Sequence, residues 1–290
     1  MQTSKKTFIR SNLRLIAVFI VLILIGLCFW FYKAYYSNPN TVFFGMLSNN
    51  LNTKNYEVVS NQVSLTEDII TTTQVKTGFK NIVISTETTK ITNSKYTIKT
   101  ASIGTPSTDY SSYQQISFGK SSSKYMSLIG IWGENSPGGI NGQGGQLYKS
   151  SIFSTFLFAS PSISDTSKLL NFIKLHKVYA IKISKHSNLN GRPIINYQIA
   201  FNLGQYAKLL DLYSSLIGYK NKETSVSYSG NQSASLNISV DVLSRDLIGL
   251  SYVGSNSAQV YESYGINSNI KLPLKTTSLQ QLKKDVSSIK

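Results

Sequence analysis

Ser121-x-x-Lys124 and Lys76-Thr77-Gly78 are the residues of this 290-residue chain nearest in type to the serine and lysine elements of acyl-transferring enzymes. In such enzymes a nearby amine activates the hydroxyl, and the Lys-Thr-Gly element follows the nucleophile. Here it precedes it, so the two matches do not assemble into that pattern. A serine triad needs an imidazole base held by a carboxylate. Only His176 and His186 are available, and no Gly-x-Ser-x-Gly elbow presents a nucleophile. Gly119-Lys120-Ser121 ends like a phosphate-cradling loop, but Gln114 stands where its first glycine belongs. Gly142-Gln143-Gly144 lacks the third glycine of a dinucleotide site, because Leu147 occupies that position. Glu67-Asp68 reads as a turn or strand start. The single cysteine, Cys28, supports neither a disulfide framework nor a thiolate metal site. The expectation is a protein that is not an enzyme, with no catalytic residue, no metal and no cofactor.

Apolar residues offer more. Trp132 precedes a glycine-rich loop, Ser136 to Gly145, and Phe153, Phe156 and Phe158 follow it. Aromatic side chains beside a flexible loop can line or lid a cavity for a hydrophobic ligand. The same residues are equally suited to filling a core.

What must position them begins with an anchor. Leu15 to Tyr32 runs for 18 residues without a charge, between Arg14 and Lys33. At 1.5 Å per residue such a helix reaches about 27 Å, close to the hydrocarbon thickness of a bilayer. Trp30, Tyr32, Tyr35 and Tyr36 gather at one end as an interfacial belt, and Lys5, Lys6, Arg10 and Arg14 precede the segment without an acid. The positive-inside rule then keeps Met1 in the cytoplasm and sends the rest across. A cleaved signal would need a small-residue cleavage site, which does not follow Phe31. A lipoprotein signal would need a small residue where Leu27 precedes Cys28. The expected organisation is a basic cytoplasmic tail over residues 1–14, a transmembrane helix over 15–36 and an extracytoplasmic α+β domain over 37–290.

The formal net charge is +16, and beyond the anchor 24 basic residues face 13 acidic ones. Lysines outnumber arginines 25 to 4 and are scattered singly, unlike the concentrated arm or face of a nucleic-acid reader. No nucleic-acid partner is expected. A diffuse positive surface suits anionic lipid headgroups or wall polymers.

Phe44, Leu47 and Leu51 follow a capping cluster, Asn38-Pro39-Asn40, at helical spacing. From Tyr56 to Trp132 six runs rich in Val, Ile, Thr and Tyr predict antiparallel strands, the last being YMSLIGIW, because their connections are too short for parallel crossovers. A helix is predicted near Asp165 to His176. Asn190-Gly191 joins two strands as a hairpin. Tyr206, Leu209, Leu210, Tyr213, Leu216 and Ile217 form one stripe of a helix over Gln205 to Ile217. Three strands follow, led by Leu236, Ile238 and Val240. A last helix opens with Ser278-x-x-Gln281 in capping-box form.

Val178 to Gly218 and Val260 to Val286 resemble the LolA-like lipoprotein-carrier superfamily, which includes the LppX/LprG-type lipid-binding lipoproteins. The likeness spans about a quarter of the chain and carries no catalytic signature. It implies a curved antiparallel β half-barrel whose concave face is covered by helices, with an apolar cavity for acyl chains between them. The leading expectation is a membrane-anchored extracytoplasmic module that binds a hydrophobic ligand or lipid in that sheet-helix cavity. The alternative is a structural or protein-interaction component of the cell envelope with no ligand. No protein partner can be named from the residues.

Overall fold

The computed structural model describes residues 18–64, 66–76, 83–92, 96–118, 122–135, 145–152, 154–158, 161–218, 233–265 and 269–289. Phe153, Thr77, Gly78, the Gly119-Lys120-Ser121 stretch, residues 136–144 of the glycine-rich loop and the four N-terminal basic residues lie outside them.

The protein is α+β, with one open twelve-stranded sheet and several helices. Two antiparallel series meet in the middle of the sheet. The first comprises β1 (Asn55–Val63), β2 (Glu67–Lys76), β3 (Val83–Thr92), β4 (Tyr96–Gly104), β5 (Asp109–Phe118) and β6 (Trp132–Asn135). The second comprises β7 (Tyr179–Leu189), β8 (Arg192–Asn202), β9 (Ser233–Asp241), β10 (Leu247–Tyr252) and β11 (Ser257–Glu262). Each series runs through the sheet in chain order, and the β1–β11 pair, with Val58 opposite Tyr261, joins them. A short β12 (Thr277–Ser278) lies parallel to β6, which makes the sheet mixed.

Alternation sets the two faces. Ile195, Tyr197, Ile199 and Phe201 of β8 are buried together with Leu236, Ile238 and Val240 of β9. The β7–β8 turn needs positive φ at both central residues, and Asn190 (51°) and Gly191 (83°) supply it. The buried face carries α2 (Pro39–Asn52), α4 (Ile163–Leu175) and α5 (Leu203–Ile217). Asn38 caps α2 by accepting from the backbone N–H groups of Asn40 and Thr41. Asn202 caps α5 through Gln205, and Gly218 at φ 71° ends it. Tyr206, Leu209, Tyr213 and Ile217 of α5 are buried, each adding about 1.5–3 kcal/mol of apolar transfer at most.

Two glycines let the remaining helices approach the same face of the sheet. A Cβ on Gly104 would lie 2.6 Å from Leu147 Cβ of α3 (Gln146–Ile152). One on Gly133 would lie 2.8 Å from Leu279 Cα of α6 (Leu279–Ser288).

Two local expectations change. YMSLIGIW does not form a strand: Ser122–Leu128 is a 3-10 helix, and pairing resumes only at Trp132. Gly130, at φ 80°, turns the chain there and donates to Tyr113 O. The capping box at Ser278 does not form either. Ser278 is paired to β6, and Gln281 Nε2 donates to Asp285 Oδ1 at 2.6 Å instead.

At the N-terminal end, α1 (Val18–Ala34) meets α2 at an angle of 71°. A π-helical turn, Tyr32–Tyr36, and the Asn38-Pro39 cap separate the two helices. Among the described residues no single helix is long and apolar enough to cross a membrane, although α1 and α2 pass that test as a bent pair.

Candidate functional site

Among the described residues, a cluster of rings packs between sheet and helices. Phe156 is fully buried and lies 5.2 Å, centroid to centroid, from Tyr179. Phe158, 5% exposed, stacks on Tyr56 at 4.1 Å and on Tyr261 at 5.6 Å. The segment that carries them is pinned by tyrosine hydroxyls. Tyr179 donates to Thr155 O at 2.6 Å, Tyr206 donates to Ser154 O, and Tyr252 shares a hydrogen bond with the Thr155 hydroxyl. Burial raises the Tyr56 and Tyr179 hydroxyl pKa values well above the ordinary tyrosine range, so both stay neutral. A void among Leu47, Leu51, Leu157, Ile173 and Tyr179 measures about 10 Å³, room for one water at most.

Trp132 is elsewhere. Gly133 faces α6 on the helix-bearing side, so Trp132, one residue away along β6, points to the opposite face. β6 is five strand spacings from β1, roughly 24 Å, and β1 carries the Tyr56 partner of Phe158. The fold therefore brings Phe156 and Phe158 into one cluster and leaves Trp132 apart. Phe153 lies outside the described residues.

The polar candidates are also dispersed. His176 is exposed at the end of α4, and His186 is exposed on β7. Glu67 pairs with Lys90 Nζ at 2.8 Å, and Asp68 is an exposed strand residue opposite Ile91. Lys124 lies on the 3-10 helix, while Ser121 is not described. No group of three His, Cys, Asp or Glu side chains suited to a metal ion occurs among the described residues.

The feature that sequence reasoning missed is an open groove on the outer side of the helix layer, of about 700 Å³. Phe172, Leu175, His176 and Leu212 form its apolar floor, and Lys168 and Lys174 stand on its rim. α4 turns Leu169 and Ile173 into the core, with Phe172 half-buried beside them and Leu175 facing out. Leu175 is 78% exposed, and Ile163 at the start of the helix is 87% exposed. The Phe172 ring lies 4.2 Å from that of His176, and Lys174 Nζ is 5.0 Å from the centroid of the Phe44 ring. Asp165, hydrogen-bonded by Ser162 and by Lys168 at 3.1 Å, has its pKa lowered and stays charged. A signal existed: Phe172 and Leu175 extend the apolar arc of the predicted helix beyond the single face that its packing on the sheet uses.

No protein-family model matches the chain, and no curated protein matches it.

Proposed function

We propose that this protein is a membrane-anchored, extracytoplasmic interaction component of the cell envelope, whose groove between α4 and α5 receives an amphipathic segment of a partner protein. The observation that supports this reading is the contrast between the packed cluster of rings among the described residues of the inner layer and an open outer groove. A small-molecule site is a concavity of about 300–1,000 Å³ that encloses most of its ligand. Phe156, Leu157 and Phe158 occupy the layer where a LolA-like carrier would hold an acyl chain. The outer groove has the right volume but is open along its length, which suits a helix laid into it. Lys174, with 24 basic residues against 13 acidic ones beyond the anchor, favours acidic flanks on that helix, while Lys168 is paired with Asp165.

The anchor reading rests on α1. All described residues from Val18 to Phe31 are exposed, including Phe19, Leu22, Leu24, Phe29 and Trp30, and an apolar helix bare on every side is compatible with hydrocarbon. The basic residues before it direct the N-terminus to the cytoplasm and the domain outward. The LolA-like likeness enters here as a proposal about shape: helices confined to one face are what a curved half-barrel would carry on its concave side.

Photo-crosslinking tests the docking site. With Leu175 replaced by p-benzoylphenylalanine in the full chain in its native envelope, a protein-sized adduct is expected, and Lys168→Glu with Lys174→Glu should reduce it. A lipid-mass adduct, or an adduct indifferent to the charge reversal, would overturn the reading in favour of a hydrophobic ligand.

A further inference from the structure

We infer that the β7–β8 and β9–β10 hairpin tips form a foot resting on the surface of the membrane that holds α1. The inference depends on the anchor part of the function proposed above and is independent of the α4–α5 groove.

The geometry begins at the exit of α1. The Tyr32 ring stacks on that of Tyr36 at 5.7 Å. Tyr36 is gripped from both ends by the β9–β10 turn. Its hydroxyl donates to Leu243 O at 3.0 Å, and Arg245 Nη2 donates to Tyr36 O at 2.6 Å. The Arg245 guanidinium also sits 4.4 Å from the centroid of the Tyr36 ring. From the other side, Asn49 of α2 donates to Arg245 O at 3.4 Å and to Asp246 Oδ1 at 2.7 Å. Gly45 leaves room for the Arg245 stem, since a Cβ there would meet Arg245 Cδ at 3.1 Å. Arg245 itself has φ 63°, a conformation costly to a non-glycine residue, and these contacts hold it in place. The turn and the helix exit thus move as one body.

The second hairpin stands beside the first. Val242 N donates to Pro193 O at 2.9 Å, and Arg192 bonds Asp241 Oδ2 at 2.8 Å and the Ser244 hydroxyl at 3.5 Å. Each tip presents an exposed leucine, Leu243 at 51% and Leu189 at 44%. Asp241 is buried against Arg192, and Asp246 takes the Asn49 amide, while Lys33 and Arg192 face out. Leu189 and Arg192 line one recess together with Asp241, Asp246 and Glu262.

Distance selects the lipid surface as the occupant. Tyr36 follows Phe31, the last residue of the α-helical part of α1, by five residues of π-helical turn, a rise of at most about 7.5 Å. The headgroup region of one leaflet is about 5–8 Å thick, half the difference between the whole bilayer and its hydrocarbon core. Leu243 is bonded to Tyr36 and so falls at headgroup depth when α1 spans the hydrocarbon. Exposed leucines tied to the helix exit, where Lys33 is exposed, match that layer, with the leucines toward the acyl boundary and the lysine toward phosphates.

The test uses the full chain in vesicles of phosphatidylcholine and phosphatidylglycerol, with Cys28→Ser as background. Single variants Leu243→Cys, Val21→Cys and Leu274→Cys are labelled with an environment-sensitive fluorophore. Leu274, fully exposed near the opposite edge of the sheet, is the aqueous reference. The label at 243 should be quenched by a lipid with a nitroxide at its headgroup, and protected several-fold from aqueous iodide relative to the label at 274. A label at 243 as open to iodide as that at 274, with Val21→Cys protected, overturns the foot alone. An open label at Val21→Cys overturns the anchor and the foot together.

Discussion

Replacing Phe158 with alanine separates a packed inner layer from a lidded cavity. Phe158 is 5% exposed and lies between Tyr56 and Tyr261, with Tyr264 at 6.4 Å. Truncating a buried phenylalanine costs about 3–5 kcal/mol, because transfer free energy is lost and the cavity closes only partly. Lost ring stacking on Tyr56 and Tyr261 adds about 0.5–1.5 kcal/mol per pair to this, which places Phe158→Ala toward the upper end. For a domain of this size each kcal/mol moves Tm by about 2–4 °C, so a fall of roughly 6–20 °C is expected. A lid residue would touch ligand or solvent, and its loss would stay within about 0.5 kcal/mol. The assay is urea and thermal unfolding of the full chain in detergent, followed by near-UV circular dichroism, with Leu175→Ala as the exposed control. A loss below about 1 kcal/mol with an unchanged m-value would refute the packing argument.

Two tyrosines with opposite hydroxyl environments should respond in opposite ways. Tyr179→Phe deprives Thr155 O of its donor and should cost about 1–3 kcal/mol, whereas Tyr213→Phe removes a buried hydroxyl that has no hydrogen-bond partner among the described residues and should be neutral or stabilising by about 1 kcal/mol. Urea midpoints of the two variants check this, and equal losses would contradict it. Asp109 accepts from Gln146 N at 2.8 Å and Leu147 N at 3.3 Å, and burial raises its pKa against the lowering effect of those N–H groups. The folded state therefore binds the proton more tightly than the unfolded chain. Its contribution to stability is full below the ordinary carboxylate pKa and is lost as pH rises through the raised value. Asp109→Asn should remove that slope from a pH series of urea midpoints, and a slope of opposite sign in the parent would refute the assignment.

Much of the fold was legible because burial leaves periodic marks. The alternation from Ile195 to Phe201 gave β8, Asn190-Gly191 gave its hairpin, and the stripe from Tyr206 to Ile217 gave α5. YMSLIGIW misled because its apolar content suits a strand while Gly130 takes a positive φ that interrupts one. The parallel β12–β6 pair joins segments far apart in the chain, and no local pattern announces such a partner. Trp132 stands apart from Phe156 and Phe158 for a related reason. Their nearness in sequence said nothing about strand order or about which side of β6 Trp132 would occupy. The groove was half visible as surplus apolar residues on α4, but its openness depended on where α5 lies.

Titration of a labelled, acidic amphipathic helical peptide against the full chain tests the interaction reading most directly. The account predicts saturable binding that weakens with added salt and falls at least tenfold on Leu175→Asp, about 1.4 kcal/mol or more. No peptide binding, together with saturable uptake of a fluorescent fatty acid that Phe158→Ala abolishes, would contradict it.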